Sequence, residues 1–501
     1  MKLLLLATGM LASGAALGQS AKSLPPAKKA ASAAAPTAPD NRAAVREADI
    51  QKDLYTLAAD YYRGREAGTL DELKASAWLA EQARAIGAQP AGDDGTYFQF
   101  FEIQRTRLTA GSTMRIGSRA LRPNHDAVVF APINAQVNAP LVWVGLGTAA
   151  DVAKANVQGK AVALQFSGEV TPGLSFRRYL VATLRDRSAD LIKAGAVAVV
   201  WVGDARAQAV YEHWGHTYER GRYDLPGGPN VKVASGAPII WLPAGSTWAQ
   251  QPGQQLVADL RTETFKYPSV NVLAKVEGTD AELKQQYVLF GTHQDHDGVR
   301  EPVAGDSIYN GADDNATGCS AVLAIMRAWQ QRPGRRSALF AFQGAEERGL
   351  LGSRYYSMHP TVGEGRIVAV LNAEMMGRNA PDSAALMGSQ RPHRNSQDLL
   401  TTALAANRQI ASFKLDTLWD KPEHPEGWFF RSDNLPYARQ GIPALSYTSL
   451  LHVDYHTPRD ERERINYPKL TSMARWMYLT GWLVANRQAP PARDPDFKLE
   501  R

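Results

Sequence analysis

Histidines and carboxylates gather in short clusters in the second half of the chain, each placed at or just beyond the end of an apolar run. Tyr287 to Gly291 leads into Thr292, His293, Gln294, Asp295, His296 and Asp297. An apolar strand has no need of such residues. In an extended chain His293 and Asp295 lie on one side, which lets Asp295 orient the His293 imidazole. The next cluster, Gly311 to Gly318, opens a helix and holds Asp313, Asp314 and Asn315. A helix cap requires one acidic or polar side chain. Two adjacent carboxylates exceed that need, and a carboxylate bridging two metal ions would use both its oxygens; Asp313 is the candidate for that place. Ser337 to Phe342 then delivers Glu346 and Glu347 ahead of Gly349. Consecutive side chains diverge, so one can ligate a metal while the other faces an attacking water. Asn372 and Glu374 end a further run, and a late loop carries His452, Asp454, His456, Thr457, Pro458 and Asp460. Two imidazoles, two terminal carboxylates and a bridging carboxylate suit a pair of zinc ions.

Elements must bring these clusters together. Beyond Tyr267, apolar strands (Tyr287 to Gly291, Ser337 to Phe342, Ile367 to Leu371) alternate with helical patterns at Ala316 to Trp329, Leu350 to Tyr356 and Tyr467 to Ala485. That alternation predicts an α/β fold with a mostly parallel central sheet flanked by helices. Ligands bind beyond the carboxyl ends of such strands, where the clusters fall. Helical spacing also marks Ala48 to Tyr62 and Leu70 to Ile86. From about Val128 to Phe265 the pattern changes to short β-type runs, such as Ala161 to Phe166 and Val197 to Val202, with a helical stretch ending at Ala194, and predicts an inserted smaller β-rich α/β domain.

The clusters resemble, in kind and order, the motifs of the co-catalytic di-zinc aminopeptidase family, which includes glutamate carboxypeptidases. His293-Gln294-Asp295 is similar to its His-x-Asp, Gly305 to Gly318 to its GDSxxNGADDNxSG, Glu346-Glu347 to the start of its EExGLxGS, and Tyr455 to Asp460 to its YHTPxD. The resemblance covers about Ala48 to Ala485. It implies that His293, Asp313 and Glu374 hold one zinc or the bridge, that Glu347 and His456 complete the second site, and that Glu346 is the catalytic base, with Asp295 in support. It implies a peptide substrate with a free amino terminus, and it identifies the inserted segment as similar to a protease-associated domain. Glu374 stands where many members have Asp, a longer arm. Trp428, Phe429 and Phe430 precede Ser432 and Asp433 where some relatives place an oxyanion-stabilising Tyr, so no such Tyr is assigned. His296 and His452 are left as supporting residues; His125, His213, His216, His359 and His393 read as surface or hydrogen-bonding residues.

The same site would serve a carboxypeptidase that removes acidic C-terminal residues, whose pocket should gather Arg or Lys. The aromatic-rich stretch Trp419 to Phe430 leans towards an aminopeptidase. A non-catalytic binding protein of the same fold should have lost donors, and a single-zinc cyclase would not need the Glu346-Glu347 pair or the bridging carboxylate.

Composition sets the surroundings. The 501 residues suit two folded units and processing segments. Lys2 and the apolar run Leu3 to Leu17 read as a signal peptide (1–18), too short for the ~20 residues of a membrane span. Residues 19–43, rich in Ala and Pro, read as a flexible tether. The peptidase domain is expected at 44–127 and 266–490, and the inserted domain at 128–265. Cys319 is the only cysteine, which excludes an intrachain disulfide. Residues 1–45 hold Lys2, Lys22, Lys28, Lys29 and Arg42 against Asp40, so most of the net charge of +6 sits outside the folded body. That distribution argues against nucleic acid as a partner. An exported, periplasmic or secreted bacterial enzyme without stable membrane insertion is the expectation; the oligomeric state is not legible.

Overall fold

A computed structural model describes residues 40–166, 176–234, 236–363 and 365–499. The expected signal peptide and nearly all of the tether lie outside them. Residues 40–43 are pinned to the body: Asn41 Nδ2 donates to the Ala328 carbonyl at 3.0 Å, and Asp40 pairs with Arg42 at 2.6 Å.

The chain is an α/β protein built on two sheets. Ten strands form the larger sheet, whose centre runs Ala444–Thr448, Ile367–Glu374, Tyr287–His293, Ser337–Gln343, all parallel. Every residue of Tyr287–His293 and of Ser337–Gln343 is buried. Strands with both faces covered read as continuous apolar runs, which is why these were visible in the sequence. Antiparallel strands flank this centre: Thr262–Val276 pairs with Ser337–Gln343, and Phe98–Leu108 with Thr262–Val276.

Helices Glu47–Leu57, Leu70–Ile86, Gly318–Gln331 and Tyr467–Asn486 contribute to one hydrophobic core with the sheet, where Phe290 stacks on Phe340 at 5.5 Å and meets the edge of Trp329. Thr69 caps the second helix by accepting from Asp71 N and Glu72 N, and Gly87 ends it in the left-handed region at φ 90°. The first helix stops at Leu57 rather than continuing to Tyr62. Ala59 is extended, and a tight turn Asp60–Arg65 follows, with Arg63 and Gly64 at positive φ. That turn brings Arg65 under the donor clusters.

Eight strands form the smaller sheet, centred on Ala135–Trp143, Ala161–Gln165, Ala198–Val202 and Ile239–Leu242 in parallel register. It has its own apolar clusters. It already includes Thr113–Ile116 and Arg119–Leu121, because Thr113–Ile116 pairs with Gln255–Leu260; the expected edge at 128 is thus too late. The chain leaves the larger sheet at Leu108 and returns at Thr262, which are register partners. A third tie is made by Arg222–Asp224, which pairs with Gln104–Thr106 of the larger sheet. No helix among the described residues is long and apolar enough to cross a membrane.

Candidate metal centre

The parallel strands end where the clusters begin, so the donors converge from five segments. His293 closes its strand; its Nδ1 donates to the Asp295 carbonyl at 3.1 Å, which leaves Nε2 facing Glu374 Oε1 and Asp314 Oδ1, both at 3.2 Å. The other Asp314 oxygen lies 3.1 Å from His456 Nε2. Glu347 Oε1 lies 3.2 Å from His456 Nε2 and 2.9 Å from His296 Nδ1. Two donor groups result, His293 with Glu346 and Glu374, and His296 with Asp314, Glu347 and His456. Asp314 reaches both.

The carboxylate that lies between the two donor groups is therefore that of Asp314 and not that of Asp313. The Asp313 carboxylate turns away, accepting from Gly377 N at 2.7 Å and Thr317 Oγ1 at 3.3 Å and facing His452 Nε2 at 3.3 Å. Asp460 holds the loop in this setting by accepting from both Asp313 N and Asp314 N at 3.0 Å. Asp314 and Asn315 depart from helical geometry, so the two carboxylates leave the chain on different sides. Gly311, at φ 57°, closes the turn; a Cβ there would sit 2.2 Å from the Asp314 carbonyl oxygen and 2.5 Å from the His296 ring.

Asp295 also supports the site differently from expectation. Its carboxylate is 3.9 Å from His293 Nδ1, beyond hydrogen-bond reach, and it is the main-chain carbonyl that orients the ring. The carboxylate instead accepts from Glu346 N at 2.9 Å and Glu347 N at 3.2 Å, fixing the turn that aims both glutamates. Glu374 is steadied by Ser432, whose hydroxyl donates to Oε2 at 2.7 Å. Asn372 in turn donates to the Ser432 oxygen at 2.7 Å, so the longer Glu374 arm is clamped at its tip.

The electrostatics separate the adjacent glutamates. Burial, together with the charges of Glu374 and Glu347 and against the pull of His293, pushes the Glu346 carboxyl well above its ordinary range. Burial also opposes charge on Glu347, but His456 and His296 hold it down at about 2. A neighbouring pair whose environments pull them apart is the pattern of a proton carrier beside a permanent anion. Among the described residues, the ion pairs of Asp314, Glu347 and Glu374 are with histidines. Such a buried cluster of carboxylates and imidazoles fits bound cations.

Residues without a role in the sequence reading complete the centre. Tyr455 packs against His456, and its hydroxyl accepts from Arg431 Nη2 at 2.9 Å, so its own proton is free to be donated. Arg65, 1% exposed, donates to the carbonyls of Gln294 at 2.7 Å, Asn310 at 2.7 Å, Leu57 at 3.0 Å and Gly311 at 3.0 Å. It thereby ties the His293 cluster to the Asp314 loop. Replacing it by Met takes the donor from the Gln294, Asn310 and Leu57 carbonyls, while Gly311 keeps its bond from Ala316 N, and is expected to cost at least about 3 kcal/mol of stability, at about 1–3 kcal/mol for each unsatisfied group. Chemical denaturation of the metal-free protein measures it. Of the histidines read as incidental, His125 pairs with Asp126 at 3.2 Å, His359 stacks on Tyr355, and His393 is buried against Phe429 and pairs with Asp420 at 3.0 Å; the His213 and His216 side chains lie outside the described residues.

A parallel sheet that gathers two donor groups around one shared carboxylate at its strand ends is the architecture of a two-metal enzyme. Residues 271–480 match Peptidase family M28, and that segment carries every donor. Aminopeptidase YwaD of Bacillus subtilis (strain 168) is 28% identical over 167 residues, 32% of this chain and 34% of that protein, so the match spans about a third of its length. The fold is also that of an aminopeptidase from Aneurinibacillus sp. strain AM-1 (TM-score 0.60, 20% identity, 91% of this chain and 98% of that one). A zinc aminopeptidase from Bacillus subtilis, BSAP, aligns with TM-score 0.56 and 19% identity over 91% of this chain and 99% of that one.

Proposed function

We propose that the chain is an exported two-zinc aminopeptidase, a reading carried by the placement of Asp314 between two otherwise separate donor groups. His293, Glu374 and one Asp314 oxygen would hold one zinc; His456, Glu347 and the other Asp314 oxygen would hold the second. Bound there, the ions would supply Lewis-acid polarisation of the scissile carbonyl and ease deprotonation of a water. Glu346, raised in basicity by its buried acidic surroundings, takes the proton from the attacking water and returns it to the leaving amine as the C–N bond breaks. Tyr455, with its oxygen engaged by Arg431, donates its hydroxyl proton in a hydrogen bond to the carbonyl oxygen as negative charge builds there. The acidic groups around the centre favour a substrate amine.

Arg431 does not favour the carboxypeptidase alternative, because Glu426 Oε2 takes its Nη1 at 2.5 Å and it stacks over Trp428. The smaller sheet is read as a protease-associated domain that shapes the entrance, and residues 1–18 as the signal that directs export to the periplasm or medium. Aminoacyl substrates tested with free and acetylated amines decide the substrate class. Acetylation is expected to lower kcat/KM by at least about 100-fold, as when a site built for a polar substrate group loses it, and a strong chelator is expected to abolish turnover until zinc is restored. Equal rates on both substrates would rule out the aminopeptidase reading.

A further inference from the structure

Asp297 is a buried carboxylate beside His456. Its Oδ2 lies 3.1 Å from His456 Nδ1, the ring nitrogen left over once Nε2 faces Asp314 and Glu347. A carboxylate at that position fixes both the tautomer and the orientation of a ligating imidazole. Its Oδ1 is approached by three guanidinium groups: Arg220 Nη1 at 3.1 Å, Arg300 Nη2 at 3.2 Å and Arg348 Nη1 at 3.5 Å. Arg300 and Arg348 also share Glu66, at 3.1 and 3.2 Å, and lie outside the segment between Leu108 and Thr262.

Arg220 comes from elsewhere. It is the last residue of helix Ala205–Arg220, which lies between the departure of the chain at Leu108 and its return at Thr262. The helix end is fastened to the larger sheet at its base. Arg105 Nε donates to the Arg220 carbonyl at 2.5 Å, and a Cβ on Gly221, at φ 90°, would lie 2.5 Å from the Thr106 carbonyl oxygen. Arg222–Asp224 then joins the sheet beside Gln104–Thr106. These contacts fix where the Arg220 side chain starts, and it ends on Asp297.

We propose that Asp297 is the positioning residue of His456 and that Arg220 makes the inserted unit part of the support of the metal centre, so that this unit sets how tightly the His456 and Glu347 side grips its ion. The inference rests on His456 being a zinc ligand. It assigns the inserted unit an effect on the metal itself, which a mere cover over the entrance would lack.

The test uses the full chain, stripped of metal and reloaded with zinc or cobalt(II) against a competing chelator, with the visible cobalt spectrum recorded. Asp297→Asn is expected to weaken one of two metals by about 10–100-fold, the usual cost of losing an orienting partner, and to leave the other unchanged. Arg220→Ala should weaken the same metal by a smaller factor and shift the cobalt bands, Arg220→Lys should recover most of the loss, and Arg220→Ala should add nothing further to Asp297→Asn. If Arg220→Ala raises KM but moves neither metal affinity nor the cobalt spectrum, or if its effect adds in full to that of Asp297→Asn, the proposal is overturned. Should Asp297→Asn fail to fold, the Arg220 variants carry the test alone. His456→Ala separates the two levels: if it still binds two metals as tightly as wild type, the ligand assignment underneath has failed; if it loses one while the Arg220 variants change nothing, only the present inference has.

Discussion

Glu346→Gln is expected to reduce kcat by at least about 100-fold, the typical contribution of a general acid–base group, while bound zinc stays near two per chain. The amide keeps the size of the side chain and the backbone hydrogen bond from Glu346 N to Asp295, so the turn should persist. What it cannot do is accept a proton. Glu347→Gln should do the reverse: it exchanges a carboxylate held at about 2 for a poor ligand, so zinc is lost first and added zinc restores part of the rate. Steady-state kinetics and metal analysis on both variants distinguish the roles. Loss of zinc from Glu346→Gln, with retention by Glu347→Gln, would exchange the two assignments.

The second large effect concerns the shared carboxylate. Asp314→Ala removes an oxygen from each donor group, so metal content should fall below two and activity should drop by more than the roughly 10–100-fold that loss of an orienting partner costs. Asp313→Asn is the informative comparison. Its side chain serves Gly377 N, Thr317 and His452, so it should keep both metals and show its cost mainly in stability. Metal stoichiometry decides, and an Asp314→Ala protein that retains both ions would refute the bridge.

The sequence disclosed what depends on local pattern. Tyr287–His293 and Ser337–Gln343 were legible because two covered faces impose an unbroken apolar run, and their ends marked the place of the chemistry. The choice between Asp313 and Asp314 was not legible, because it depends on backbone angles at Asp314 and Asn315 and on Asp460, a residue far along the chain that fixes the loop. The contribution of Asp295 was misread for a related reason: spacing shows which side chains share a face but not that a main-chain carbonyl takes the imidazole while the carboxylate caps a turn from another segment. Arg65 carried no signal, since nothing local distinguishes a guanidinium that will be buried among carbonyls from one in water. Likewise, the start of the smaller sheet at Thr113 depends on pairing with Gln255–Leu260, a partner more than a hundred residues away.

The four carbonyls gathered by Arg65 also make the site depend on a segment that supplies none of its donors. The turn that follows the first helix lies beneath the His293 and Asp314 segments and is bonded to both through Arg65. Proteolytic trimming that stops short of Ala44 leaves that keystone in place, whereas a cut beyond Arg65 takes it away and releases the grip of a site whose own residues are all still present.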